Sequence, residues 1–384
     1  MYTAFDFHLR TRIVFGPGKI ALLGELARQL GATRVLVVTD PGIVAAGHTG
    51  RGVAALEASG CTVCVFDGTR ENPTTREVEA GVEVARSFHP DLLVGLGGGS
   101  SMDCAKGINF LYTNGGRMQD YWGIGKASQP MLPMIAVPTT AGTGSETQSF
   151  ALISDPDTHV KMACGDKKVA CAVALLDPEL TLTQPARVTA LTGMDALSHA
   201  VETAVTRPRN AMSLVFSREA WRLLAQSFPS VLENPNDLSA RAGMQLGASL
   251  AGVAIENSML GAAHALANPL TARFDIVHGQ AVGLMLPHVV RFNAAVAEEA
   301  YRELLAAGAN LPGLPTADQG AEGLAVFLSD ILVRAGLATR LRDCGVPYEL
   351  LDACAQDAAK QWTGTFNPRP LAIPDFLWLY QQAW

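Results

Sequence analysis

Asp195, His199, His264 and His278 could share one divalent cation. The stretch Thr192 to Ala200 reads TGMDALSHA. In an α-helix its Asp195 and His199, at i and i+4, stand on one face with Cβ atoms about 5–6 Å apart. A carboxylate and an imidazole so placed can hold one cation, or they can simply pair with each other in a core or on a surface; the segment fits both. A second stretch, GAAHALANPLTARFDIVHG from Gly261 to Gly279, supplies His264 and His278. Three imidazoles and one carboxylate suit a divalent transition metal and leave a coordination position for a substrate oxygen.

Such a set must be presented by stiff elements, and the chain divides into two kinds. In the first half, β-rich runs alternate with segments of helical period. The runs are Arg34 to Asp40, Cys61 to Gly68, Asp91 to Gly99, Met134 to Thr140 and Val173 to Pro178; Lys19 to Ala32 and Thr75 to Phe88 are helical. Continuously apolar strands interleaved with helices predict a mostly parallel sheet covered on both faces, with ligands outside the carboxyl ends of the strands. From about Pro185 strand-like runs nearly vanish. Met212 to Phe228 sets Leu214, Trp221, Leu224 and Phe228 along one stripe, and Ala242 to Ser258 is rich in small residues, as a close-packed helix would be. The expected architecture is an α/β domain over residues 1–183 and an all-α domain over 184–384.

The chain has 384 residues, 48% of them hydrophobic, enough for more than one core. Its net charge of −7 and lack of a basic cluster argue against nucleic acid as a partner. No stretch reaches the ~18 apolar residues of a membrane span, so no membrane partner is expected and the predicted location is the cytoplasm. Seven cysteines, scattered through apolar segments, suit reduced thiols better than a disulfide framework; Cys61 and Cys64 spell CxxC but sit in a run that reads as a strand.

The run Gly97 to Lys106, GGGSSMDCAK, follows a strand and opens a helix. Its glycines would let the backbone approach a phosphate at the helix N-terminus, or would make only a tight strand-to-helix turn. Asp40, ending an upstream strand, is either a ribose ligand that repels a 2′-phosphate or a helix N-cap. PTTAGTGSE, Pro138 to Glu146, offers hydroxyls and amides, or is merely a loop.

Together, GGGSSMD, PTTAGTGSE, the DPEL run from Asp177, TGMDALSHAVE and the His264/His278 segment resemble the iron-containing (group III) alcohol dehydrogenase family, from RIVFGPG at Arg12 to NPRP at Asn367. That resemblance implies an N-terminal NAD-binding domain, a C-terminal helical metal-binding domain and the architecture of dehydroquinate synthase. It implies NAD(H) and a divalent metal as cofactors, Fe(II) first and Zn(II) second. The metal ligands it implies are Asp195, His199, His264 and His278. Gly98, Gly99 and Ser100 would take the pyrophosphate and Asp40 the adenosine ribose, with Asn72 nearby and Thr139, Thr140 and Thr143 lining the groove. Lys161 would approach the nicotinamide ribose, or be a solvated loop lysine.

One departure concerns proton transfer. Where many members have a second histidine, four residues after His264, this chain has Asn268, which hydrogen-bonds but does not titrate near neutral pH. His278, Asn268 and Lys161 are the residues expected nearest the chemistry. Phe150 replaces a small polar residue of some members and predicts a more apolar pocket wall.

The implied activity is metal-dependent, NAD(H)-linked interconversion of a primary or secondary alcohol with its aldehyde or ketone. A polyol-type dehydrogenase, a sugar-phosphate cyclase on the same scaffold and a non-catalytic metal or nucleotide sensor are the alternatives, with His199 favouring the alcohol dehydrogenase branch. Arg273 could attract an acidic aldehyde or be a helix-end arginine, and a homodimer is the expected assembly.

Overall fold

In the computed structural model, which describes residues 4–158, 160–309, 311 and 313–384, the apolar runs of the first half become strands of one parallel sheet. Contacts divide the chain into two compact units. One comprises His8–Thr140 with Gly144–Gln184, the other Pro185–Trp384 with Ala141–Thr143 and residues 4–7.

Among the described residues the α/β unit contains nine strands: β1 (Arg12–Phe15), β2 (Arg34–Val38), β3 (Thr62–Phe66), β4 (Leu92–Gly97), β5 (Gly123–Ile124), β6 (Met134–Pro138), β7 (Phe150–Ser154), β8 (Lys161–Gly165) and β9 (Val173–Leu176). Its helices are α1 (Leu23–Gln29), α2 (Pro41–Ala45), α3 (His48–Ala58), α4 (Thr75–Phe88) and α5 (Gly99–Asn114). The main sheet runs β1-β9-β6-β4-β2-β3, parallel throughout. Because successive side chains point to opposite faces, β2 feeds two cores. Leu36 and Val38 pack with Val78 and Val82 of α4 and Ile108 of α5, while Val35 and Val37 pack with Leu23 and Leu26 of α1 and Leu56 of α3. Burying such a side chain contributes about 1.5–3 kcal/mol.

Local chemistry sets the ends. Helix α4 starts at a capping box, in which the Thr74 hydroxyl accepts from Arg76 N and the Glu77 carboxylate accepts from Thr74 N at 2.8 Å. It stops at His89, in the left-handed region with φ 52°, before Pro90.

A second sheet, β5-β8-β7, pairs β7 and β8 antiparallel. Phe150 pairs with Gly165 there, and its ring covers that glycine so closely that a Cβ would lie 2.4 Å from it. The side chain expected to line an apolar pocket thus packs on the neighbouring strand.

The second unit is helical: α6 (Ala186–Thr203), α7 (Ala211–Glu233), α8 (Leu238–Ser258), α9 (Ala262–Phe274), α10 (His278–Ala306), α11 (Gly320–Arg334), α12 (Leu351–Ala358) and α13 (Ile373–Ala383). Met194 and Leu197 of α6, Trp221, Leu224 and Phe228 of α7, and Met285 of α10 share one core. Small residues on α8, Ala248 and Ala251, let it join that core at close range. No helix among the described residues is long and apolar enough to cross a membrane.

His288 on α10 is held neutral: burial, and then the Arg291 charge, push its pKa down from 6.5 to about 4. An unfolded chain therefore takes up this proton first, and stability is lost as the pH falls from about 6.5 through about 4. His288→Gln should remove up to about 3 kcal/mol of that acid-induced loss. Urea midpoints at pH 7 and pH 4.5 measure it; an equal drop in parent and variant would show that His288 carries none of the effect.

Candidate metal and dinucleotide sites

Helix α6 presents Asp195 and His199 on one face, α9 carries His264 as its third residue, and α10 begins at His278. The Nε2 atoms of His199, His264 and His278 lie 3.3, 3.6 and 3.7 Å from a single oxygen, Asp195 Oδ1. Ligand atoms of Asp195, His199 and His264 all fall within 4.8 Å of one another, and these three residues are buried. The His278 side chain is at the rim, 30% exposed. Its helix abuts α6: a Cβ on Gly279 would lie 2.1 Å from the Leu191 carbonyl oxygen, so only glycine allows that approach.

Within this cluster Asp195 Oδ1, His199 Nδ1 and His264 Nε2 are buried without a hydrogen-bond partner among the described residues. An unsatisfied buried polar atom costs about 1–3 kcal/mol, so Asp195 Oδ1 and His264 Nε2, facing each other across 3.6 Å, ask for something to coordinate. Donors bonded to one tetrahedral ion at about 2.1 Å are about 3.4 Å apart, and the observed spacing suits such an ion. The chemistry of the donors, one carboxylate and imidazoles, fits as well.

Charges reinforce the arrangement. Burial opposes ionisation of Asp195, but His199, His264 and His278 outweigh it and hold the carboxyl well below the usual range. Burial keeps His199 below the ordinary imidazole value despite Asp195 beside it. Burial acts on His264 in the same sense, yet Glu202 and Asp195 overcome it and raise its pKa to about 9.

Glu202 was not singled out in the sequence. It is buried one turn beyond His199 and accepts from His264 Nδ1 at 2.6 Å, from Ala263 N at 2.7 Å and from Gly261 N at 3.1 Å. Its position, seven residues after Asp195 and so on the same helical face, was the available signal.

In the α/β unit, β4 runs into α5 through Gly97 and Gly98. Gly97 has φ 152°, and a Cβ there would lie 2.3 Å from Ser101 Oγ. Helix α5 has no side-chain cap at Gly98, so its first amides face outward at the positive helix end. The strand order reverses between β2 and β4, where such sheets bind nucleotides, and the ends of these strands carry Asp40 and Gly97. The cradle therefore fits a pyrophosphate.

Several predicted cofactor residues gather at this edge. Asn72 N donates to Ser100 Oγ at 3.2 Å, Lys161 Nζ donates to Asn72 Oδ1 at 3.0 Å, and a Cβ on Gly98 would touch Thr140. Thr139 follows β6, its hydroxyl buried without a partner among the described residues. Asp40 accepts from Gly42 N and Ile43 N and caps α2, while its other oxygen accepts from Ser101 Oγ at 3.2 Å. Thr143 belongs to the segment Ala141–Thr143 of the helical unit and is not grouped with the others.

Asn268 Nδ2 donates to Gln361 Oε1 at 3.0 Å, pairing two amides. Arg273 ends α9 in an ion pair with Asp357, so its charge is already balanced, as for a helix-end arginine. Sequence reading also passed over Lys106, fully buried in α5, whose ammonium donates to Ser145 Oγ and to the carbonyls of Ser145, Gln148 and Phe150 at 2.7–2.9 Å. A lysine ordinarily reads as a surface residue.

Residues 10–178 match the iron-containing alcohol dehydrogenase family, and residues 189–384 match the family's C-terminal region. The chain is similar to the NAD-dependent methanol dehydrogenase of Bacillus methanolicus, at 34% identity over 98% of this chain and 99% of that protein. It is similar to the 1,3-propanediol dehydrogenase of Citrobacter freundii, at 35% identity over 100% and 99%. Among solved structures, a 1,3-propanediol oxidoreductase superposes with a TM-score of 0.94 at 33% identity, covering 100% of both chains. The chain belongs to the iron-containing alcohol dehydrogenase family. It is accordingly a metal-dependent oxidoreductase of alcohols and aldehydes.

A divalent ion taken up at the cluster must displace the proton of His264. In the metal-free protein this imidazolium contributes stability that is complete below about pH 6.5 and is lost as the pH rises through about 9. Metal uptake should therefore release one proton and tighten by about tenfold per pH unit across that window. Calorimetry in buffers of different protonation enthalpy counts the proton, and a pH-independent affinity would remove His264 from the ligand set.

Proposed function

We propose that Asp195, His199, His264 and His278 hold the divalent metal, Fe(II) with Zn(II) as the alternative, and that residues 184–384 form the metal-binding domain. Residues 1–183 hold NAD(H): Gly98, Gly99 and Ser100 take the pyrophosphate, Asp40 the adenosine ribose and Asn72 its neighbourhood, with Thr139, Thr140 and Thr143 along the groove and Lys161 at the nicotinamide ribose. The reading is carried by the convergence of three Nε2 atoms on Asp195 Oδ1.

When bound, the metal polarises the substrate oxygen and the nicotinamide exchanges a hydride with the adjoining carbon. The chain's own residues do the rest. Asp195 brings negative charge to the ion, and His278, the exposed member, marks the side open to substrate. Asn268, paired with Gln361, offers hydrogen bonds and no titrating group, so protons reach the substrate oxygen without a histidine relay at residue 268.

The substrate is a short neutral alcohol or its aldehyde. Neutralisation of Arg273 by Asp357 supports this, as do the methanol and 1,3-propanediol named for two relatives. The homodimer finds support in the open edge of β1, where Phe15 is exposed. A cytoplasmic location is supported by seven free thiols.

The test is NADH oxidation by metal-free protein reconstituted anaerobically with Fe(II) or Zn(II), over short neutral, carboxylated and phosphonylated aldehydes. Asp195→Ala and His264→Ala should lose retained metal and turnover together, at least about a thousandfold in kcat/KM. Full turnover of metal-free protein would overturn the mechanism, and preference for charged aldehydes would overturn the substrate class.

Asp40→Asn separates charge from capping, because asparagine caps a helix as well as aspartate does. The variant should shift preference toward NADPH by roughly tenfold, which is about 1.4 kcal/mol of removed repulsion, with an unchanged melting temperature. An unaltered NADH to NADPH ratio would remove Asp40 from the ribose site.

A further inference from the structure

We propose that Glu202 is the positioning residue of the metal site: its carboxylate fixes the ring of His264 and fastens the start of the helix that carries it. The inference rests on reading Asp195, His199 and His264 as metal ligands, and it concerns what holds one of them in place.

A carboxylate only accepts hydrogen bonds, so at 2.6 Å from Glu202 Oε2 the His264 Nδ1 must be the donor. One proton is thereby kept on Nδ1, so the proton given up to an incoming ion is that of Nε2, which faces the cluster 3.6 Å from Asp195 Oδ1 and has no hydrogen-bond partner among the described residues. Histidines that ligate metals commonly depend on such a partner for ring orientation and basicity.

The same carboxylate ends a second problem. Helix α9 has no cap of its own, since its N-cap is Gly261. Its leading amides are instead satisfied from outside: Glu202 accepts from Gly261 N at 3.1 Å and Ala263 N at 2.7 Å, and Asn367 Oδ1 accepts from Ala262 N at 3.3 Å. Negative charge on α6 thus meets the positive end of α9, within one residue of His264. The packing leaves no slack, because a Cβ on Gly261 would stand 3.0 Å from Glu202 Oε1. One buried carboxylate therefore sets both the height of α9 and the rotation of its imidazole.

Glu202→Gln removes the charge and turns one acceptor into a donor that must face an N–H. Gly261→Ala keeps the charge of the carboxylate but pushes it aside. Zn(II) affinity of metal-free parent and variants, measured against a chromophoric chelator, reads the effect, and the visible spectrum of the Co(II)-loaded protein reads the geometry. Both variants should bind Zn(II) about 10–100-fold more weakly than the parent, with an altered Co(II) spectrum. Leu328→Ala, a core change in α11, which carries none of the cluster's residues, lowers the melting temperature and should leave Zn(II) affinity within about threefold, which separates positioning from general stability.

Zn(II) affinity and a Co(II) spectrum like the parent's in Glu202→Gln would overturn the proposal. Should that variant not fold, Gly261→Ala decides on the same two readouts. Asp195→Ala distinguishes the two levels of inference. If it binds Zn(II) like the parent, the metal-site reading itself fails; if it loses Zn(II) while Glu202→Gln keeps it, only the role of Glu202 fails.

Discussion

A carboxylate oxygen buried among three imidazole nitrogens, none of them placed to hydrogen-bond to it, is the constraint around which the helical unit is built. Asp195 Oδ1 is surrounded by nitrogen atoms at 3.3–3.7 Å and hydrogen-bonds to none of them. In a dry interior that is an expensive way to leave an acceptor, and packing alone would have replaced it with an apolar side chain. The unit tolerates it because the surrounding positive charge holds the carboxylate ionised, and a cation at the shared point would supply the partner that it lacks.

The fold meets this constraint economically. One face of α6 supplies Asp195, His199 and Glu202, at spacings of four and three residues, so a single rigid element sets most of the polar geometry. The remaining imidazoles come from helix beginnings, His264 from the first turn of α9 and His278 from the first residue of α10. Helix starts are well suited to the task, since their side chains project from fixed backbone while close main-chain contacts, as at Gly279 against Leu191, settle the approach.

Much of this was legible in the amino-acid sequence, and the residues show why. Thr75 to Phe88 is helical over that same range because its capping box and its closing residues are local signals. The i, i+4 pair of Asp195 and His199 put two donors on one face before any tertiary contact was known. Less legible were β5, β7 and β8, which are only partly buried along their length and so lack the fully buried run that marks β4, β6 and β9. Glu202 was hidden by its type, since a glutamate in a helix reads as solvated, and Lys106 for the same reason. The amide pair of Asn268 and Gln361 lies 93 positions apart, and no local pattern announces a contact of that range.

The first strand has a kinetic meaning. β1 pairs along its whole length with β9, Arg12 opposite Val173 and Phe15 opposite Leu176, and Asp177 just beyond receives the amides of Gly18 and Ile20. During synthesis the opening strand must therefore wait for some 160 residues to leave the ribosome before its partner exists. Until then its apolar residues hang from a half-built sheet, and a nascent chain cut short before residue 173 would expose the edges of both β1 and β6 to whatever else is nearby.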